Sequence, residues 1–238
     1  MGVVLQKLKR GFRQVCPPIL LPLVTRTYQG AARAVPAGMA MHHPSSQDLD
    51  IYWDPAMAQI LETWGEGNVW TEIQLLLTGR TGKVLDIACG TGKTMELLQR
   101  FPDLQLHGCD ISDRLIDKAV ERGISRDCLR VCDATAMPYA AGAFDYAYSI
   151  GSIEHFTEEG IHRFLLESRR VAGKAAFHQN PVSRDGSDHG WIKTFQSYFN
   201  NSVDWWAGHY REVYAHVDVI DSRWEDDLSV GKWFVCRN

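Results

Sequence analysis

The chain has 238 residues, 45% of them hydrophobic, and a formal net charge of −4. That length buries a sizeable core in one domain, and the slightly acidic balance gives no general attraction for nucleic acid. Six cysteines (Cys16, Cys89, Cys109, Cys128, Cys132 and Cys236) are scattered without a CxxC pair, which reads as reduced structural thiols of a cytoplasmic protein.

Residues 1–47 contain no Asp or Glu, whereas Lys7, Lys9, Arg10, Arg13, Arg26 and Arg33 make them basic. The apolar run PPILLPLV is far shorter than a membrane span and is broken by Pro17, Pro18 and Pro22, so no transmembrane segment is expected. A tail or an arm packed on the acidic body is the first expectation. Peripheral contact of this basic arm with anionic lipid is the alternative. Residues 48–80 read as a helical cap. Asp54 followed by Pro55 starts one helix, Asn68 precedes a second, and Gly65 and Gly67 punctuate the pair.

The stretch VLDIACGTGKTMELL, residues 84–98, runs a buried strand into a glycine turn that opens an amphipathic helix. Gly90 and Gly92 let the backbone turn sharply and come close to a ligand. A phosphate-cradling loop of the form GxxxxGK[ST] would need its first glycine at Ile87, so that reading fails. A dinucleotide fingerprint wants a small residue where Met95 stands, and is weakened. Asp86, just ahead of the glycines, suits a ligand with an ammonium group and a sulfonium. LQLHGCD, residues 104–110, is a second strand ending in Asp110, where a carboxylate can accept the hydroxyls of a ribose. CLRVCDA, residues 128–134, is a third, ending in Asp133 and Ala134. FDYAYSIGSIEHF, residues 144–156, is a fourth strand running into a loop with Glu154 and His155.

These four segments, in this order and spacing, resemble the motifs of class I S-adenosylmethionine-dependent methyltransferases over about residues 50–238. The resemblance implies a three-layer, Rossmann-like α/β fold. Its mostly parallel seven-stranded sheet would carry an antiparallel strand at the C-terminal end. It further implies S-adenosylmethionine contacts at Asp86, Ala88, Gly90, Gly92, Asp110, Ile111, Asp133, Ala134 and Ile150. Such enzymes place helices over the cofactor, so Tyr52, Trp53 and Trp70 are expected to close its methionine end, with Tyr52 also meeting substrate.

After the fourth strand, TEEGIHRFLLESRRV reads as a helix with Ile161, Phe164, Leu165 and Ser168 on one side, and KAAFH as the fifth strand. Residues 179–212 then break the alternation with a polar loop and an aromatic helical region, and VYAHVDVID and VGKWFVC finish the sheet as a hairpin-like pair. Substrate choice is expected in this insertion. His155 is the first candidate general base, oriented by Glu154, because it follows the fourth strand and titrates near neutral pH. His178, at the end of the fifth strand, and His189, in the loop, are further candidates at the substrate. Trp191, Phe195, Tyr198, Trp205 and Trp206, mixed with amides and carboxylates, suit the apolar faces and hydroxyls of a sugar. The YWDP start and the NNSVDWW segment also resemble small bacterial methyltransferases of polysaccharide biosynthesis. O-methylation of a sugar or glycan is therefore the expected reaction. Methylation of carbon, nitrogen or oxygen on a quinone, lipid or other small metabolite is the alternative. Some sugar O-methyltransferases use a divalent metal, which brings Mg2+ into consideration, but no spacing here specifies its ligands.

Overall fold

A computed structural model of the chain describes residues 49–194 and 196–238. The basic arm at 1–47 with its lipid-contact alternative, Cys16 and Phe195 lie outside the described residues. Seven strands form one sheet in the order β3-β2-β1-β4-β5-β9-β8. They are β1 (Gly82–Ile87), β2 (Leu104–Asp110), β3 (Leu129–Val131), β4 (Phe144–Ile150), β5 (Ala172–Ser183), β8 (His216–Glu225) and β9 (Ser229–Arg237). The first five pair in parallel, and β9 runs antiparallel to both β5 and β8. This is the expected Rossmann-like α/β architecture. The order reverses between β1 and β4, which opens a crevice at the carboxyl ends of those strands.

Alternation along the strands divides the core into layers. Leu85 and Ile87 of β1 pack to one side with α5 (Glu158–Val171) and α6 (Val203–Val213). Val84, Tyr146 and Tyr148 pack to the other with α2 (Val69–Leu77). A third cluster joins α3 (Lys93–Leu98) to α4 (Asp113–Glu121) through Met95, Ile116 and Ala119. The helices start where the sequence places caps. Asp54 accepts from the Ala56 amide at 2.8 Å before α1 (Pro55–Ile60), and Asn68 accepts from the Val69 amide. Thr157 accepts from the Gly160 amide at 3.1 Å, ahead of the expected buried positions Ile161, Phe164, Leu165 and Ser168.

Two expectations are corrected. The third strand is only three residues long, because the chain turns at Cys132 and the Asp133 carboxylate accepts from the Thr135 amide at 2.8 Å. The fifth strand does not stop at His178. It continues to Ser183, because β9 offers a second ladder beyond the end of β4, so residues 179–183 belong to the sheet and not to the insertion. The segment beyond contains a small hairpin, β6 (Trp191–Lys193) with β7 (Ser197–Phe199), before α6. Among the described residues no helix is long and apolar enough to cross a membrane.

The helical cap is fastened to the far end of the sheet by one carboxylate. Glu72 of α2 accepts from Ser222 Oγ at 2.7 Å, the Arg223 amide at 2.6 Å and Trp233 Nε1 at 2.7 Å. Removing it leaves the buried Trp233 indole N–H without an acceptor. Glu72→Ala is expected to lower unfolding stability by about 2–4 kcal/mol, read from urea denaturation with unchanged m. A loss below about 0.5 kcal/mol would show that the cap is held by apolar packing alone.

Candidate functional site

The site is built on the turn between β1 and α3. Ala88, Gly90 and Gly92 all hold positive φ, at 60°, 54° and 71°, and Ala88 is the only described non-glycine residue that does so. A left-handed alanine costs about 1–2 kcal/mol, so the surrounding contacts hold the turn in place. The Gly90 amide donates to Asp110 Oδ2 at 2.9 Å, and the Ser112 amide donates to Asp110 Oδ1 at 2.9 Å, so the ends of β1 and β2 are tied together. A Cβ on Gly90 would sit 3.0 Å from Leu61 Cδ1, at the cap.

Gly92 has a different reason. A Cβ there would come within 2.9 Å of Ala119 Cβ, so this glycine allows α3 to approach α4 and does not itself line the cleft. Arg122 locks the arrangement from behind. Its Nε donates to the Thr91 carbonyl at 2.8 Å, Nη1 to Glu96 at 3.0 Å and Nη2 to Glu62 of the cap.

A cleft of about 690 Å³ opens over this turn. Asp110, Ile111, Asp133 and Ala134 line it together with Ala88, Gly90, Ile150 and Tyr52. A neighbouring lobe of about 370 Å³ shares Leu61, Ala88, Gly90 and Ile150 and adds Asp86, Lys93, Trp64 and Trp70. The expected cofactor residues other than Gly92 thus converge on one continuous opening. The cap aromatics sort differently from expectation. Trp70 borders the Asp86 lobe, Tyr52 lies at the Asp110 lobe, and Trp53 points away, donating its indole N–H to Asp113 Oδ1 at 2.9 Å. Leu61, Trp64, Arg122 and Tyr148 were not anticipated. Only Tyr148 carried a legible signal, a phenol on a strand buried on both faces beside Asp86.

Electrostatically the cleft is set for a cation. Asp86 is 4% exposed, and its charged form is held by the Tyr148 hydroxyl, which donates at 2.7 Å. Burial nevertheless raises its carboxyl well above the ordinary range, with nearby Asp110 adding to the rise. Burial also raises Asp110, to about 6. Among the described residues no lysine or arginine forms an ion pair with either carboxylate. Two buried acids without a cation are a poor arrangement in the free protein and a good one around a ligand that brings positive charge and hydroxyls. No group of three His, Cys, Asp or Glu among the described residues is placed to hold a metal ion.

The histidines divide. His178 is not at a substrate surface: it is fully buried, with Nδ1 2.8 Å from Ser149 Oγ and Nε2 3.1 Å from Ser168 Oγ, and burial lowers it to about 3. It is a neutral core group joining β4, β5 and α5. His189 pairs with Asp185 at 2.9 Å in the exposed loop. His155 lies beside the cleft, whose wall there is Ser152 and Phe156. Its Nδ1 is 2.8 Å from the Ser197 carbonyl, which can only accept, so Nδ1 carries the proton. The Ser197 carbonyl thus orients His155 at Nδ1. Glu154 stands on the opposite side, 3.7 Å from Nε2, too far for a hydrogen bond. In the insertion, Trp191 packs edge-on to Phe199 with centroids 4.9 Å apart, Phe199 lies against Trp205 at 5.1 Å, and Trp205 against Trp206 at 4.9 Å. These rings chiefly cover one another, and Trp191 stays half-buried.

Residues 84–174 match the family model described as a methyltransferase domain. Over 99 residues the chain is 42% identical to a tRNA (carboxymethyluridine(34)-5-O)-methyltransferase of Xenopus tropicalis, a match covering 40% of this chain and 15% of that protein. Over 96 residues it is 35% identical to phosphoethanolamine N-methyltransferase 1 of Triticum aestivum, covering 39% and 19%. The chain thus spans less than a fifth of the length of these two curated relatives. The structure of an S-adenosylmethionine-dependent methyltransferase from Methanosarcina mazei superposes with a TM-score of 0.57 at 14% identity, over 70% of this chain and 96% of that one.

Glu154 supplies a test of the site's electrostatics. Its carboxyl, 4% exposed, with Oε2 lacking a partner among the described residues, is pushed by burial from 4.5 up to about 8. The unfolded chain releases this proton near pH 4.5 and the folded one only near 8. The stability contributed by the neutral carboxyl is therefore complete below 4.5 and is lost as pH rises through 8, at about 1.4 kcal/mol per unit. Glu154→Gln is neutral at every pH, so its Tm should match that of the parent near pH 4.5 and exceed it increasingly toward pH 8. A difference that stays flat with pH would mean that Glu154 is ionised in the fold.

The strand-end carboxylates and the glycine turn thus stand in the part of the chain, residues 84–174, that matches a methyltransferase domain, on a fold like that of class I S-adenosylmethionine-dependent methyltransferases.

Proposed function

We propose that the chain transfers the methyl group of S-adenosylmethionine to a hydroxyl of a small polar acceptor, with a sugar or glycan as the substrate class. The observation carrying the cofactor part is the pair of buried carboxylates, Asp86 and Asp110, flanking the left-handed turn without a cationic partner. In this reading Asp86 faces the ammonium, Asp110 accepts from the ribose hydroxyls, and Asp133 with the Ala134 amide borders the adenine. The bound cofactor supplies an electrophilic methyl for in-line displacement. The protein's task is to align the acceptor and exclude water. The cap does part of this, since Leu61, Trp64 and Trp70 wall the Asp86 lobe.

A hydroxyl acceptor must also lose its proton. With Nδ1–H committed to Ser197, His155 is fixed in the tautomer whose Nε2 is basic, the state a general base requires. Glu154, raised by burial to about 8, is neutral at pH 7 and sets no charge beside that nitrogen. The sugar assignment is supported by the polar residues around the insertion and by its resemblance to polysaccharide methyltransferases. The tRNA named for the Xenopus relative is a second acceptor class. The family match ends at residue 174, ahead of the insertion, so it bears on the cofactor half alone, and the net charge of −4 disfavours RNA.

Asp110→Ala is expected to weaken S-adenosylmethionine by about 2–4 kcal/mol, the worth of one or two hydrogen bonds to a charged group. Calorimetry on the folded variant checks this, and unchanged affinity would take Asp110 out of the site. His155→Ala should lose about a hundredfold or more in turnover while keeping cofactor affinity. Labelled methyl donor offered to sugars, quinols, amines and tRNA identifies the acceptor for that assay. Full turnover with a lowered Tm would instead make His155 a tether between the 151–156 loop and β7.

A further inference from the structure

Two thiols in the cofactor cleft have no part in the chemistry above. Cys109 is the penultimate residue of β2 and 1% exposed, and Cys132 is half-buried one residue beyond β3. The strands pair in parallel with Cys109 opposite Arg130, so Cys132, two residues further on, lies diagonally across on the same face. Both residues line the cleft, among Asp110, Asp133 and Ala134, close enough that each perturbs the titration of the other, and Cys109 Sγ lies 3.8 Å from Met137 Sδ. The Cys132 amide donates to the Asp110 carbonyl at 2.9 Å, which holds Cys132 beside the end of β2, next to Cys109.

We infer that Cys132 is a modification site inside the cofactor cleft, taking a hydroperoxide as oxidant and Cys109 as resolving thiol, so that the resulting disulfide and the cofactor's adenine exclude one another. The exclusion rests on the cofactor reading above. Cys132 is the attacking sulfur: the hydrogen bond from Cys109 holds it below the usual thiol range despite Asp133, Asp110 and Glu167 nearby. That same bond, together with burial, holds Cys109 well above the range. The Cys132 thiolate attacks the terminal oxygen of the hydroperoxide. An S–O bond forms as the O–O bond breaks, and the alcohol leaves with the proton Cys132 has given up. The Cys109 sulfur then attacks the sulfenic sulfur, the S–S bond forms, the S–O bond breaks, and hydroxide departs with the Cys109 proton as water. Two thiols lose two electrons in all, and the hydroperoxide is reduced to alcohol and water. The bridge draws residues 132–134 toward β2 and narrows the slot that Ala134 borders.

The test uses the full chain and hydrogen peroxide. Calorimetry first gives the S-adenosylmethionine Kd of the reduced protein. After peroxide, peptide mapping should show Cys109 linked to Cys132 with the mass lower by two hydrogens. Affinity should fall at least tenfold and return with dithiothreitol. Because coupling is reciprocal, a tenfold preference for the reduced form means that saturating S-adenosylmethionine raises the midpoint potential of the pair by about 30 mV. Cys132→Ser, compared with itself before and after peroxide, should show no change in Kd. A normal reduced Kd without the linked peptide overturns the disulfide. A linked peptide with unchanged Kd overturns the exclusion, and an equal loss in Cys132→Ser overturns the role of Cys132. A reduced chain that binds no S-adenosylmethionine overturns the cofactor reading, and the exclusion falls with it.

Discussion

Everything in the site hangs from one short piece of left-handed backbone, residues 88–92 at the end of β1. Because Ala88, Gly90 and Gly92 turn the chain back on itself, the Gly90 amide points at Asp110 and the Thr91 carbonyl points at Arg122. The first contact fixes the β2 carboxylate, and the second recruits Glu96 of α3 and Glu62 of the cap. A relaxed turn would release both, and the cap with them. The cost of a left-handed alanine is borne because the ends of two parallel strands and two helices all depend on this geometry.

The turn also shows how close packing is distributed between partners. A dinucleotide-binding turn puts a small residue on the helix so that it can lie against the strand. Here the helix carries Met95 and the strand supplies the space, since a Cβ on Gly108 would meet Met95 Sδ at 2.6 Å. Helix α3 also nests against α4 through the bare Cα of Gly92. The mismatch at Met95 is thus compensated across the interface by Gly108 of β2.

The strands and the strand-end placing of Asp86, Asp110 and Asp133 were legible because buried parallel strands announce themselves as apolar runs and end in polar residues where a ligand can be met. What was illegible depends on partners remote in sequence. The apolar AAFH run marks β5 but cannot show that β9 extends it to Ser183. His178 reads as an exposed strand-end histidine until Ser149 and Ser168 are seen to enclose it. His155 looks oriented by its neighbour Glu154, whereas the carbonyl that fixes it arrives from Ser197. Aromatic residues are ambiguous for a related reason: composition cannot tell a ring that faces solvent from one that covers another ring, and Trp191, Trp205 and Trp206 pack in a chain with Phe199 while Trp191 stays half-buried.

β5 and β9 extend beyond the end of β4 with β8 still paired to β9, and the β6–β7 hairpin follows from that extension while Ser197 of β7 reaches back to His155 in the loop after β4. Its stem is closed by local bonds, from the Ser183 amide to the Asn201 carbonyl at 2.8 Å, from the Asn200 amide to the Gly190 carbonyl at 3.0 Å, and from the Gly190 amide to Asn201 Oδ1 at 2.6 Å. A loop clamped at its base can be lengthened at little cost in closure entropy along its exposed stretch, 184–189, whereas Gln196 and Ser197 bond Tyr52 and His155 and tie its far side to the cleft. The segment can therefore vary in length at 184–189 while the contacts to Tyr52 and His155 stay in place.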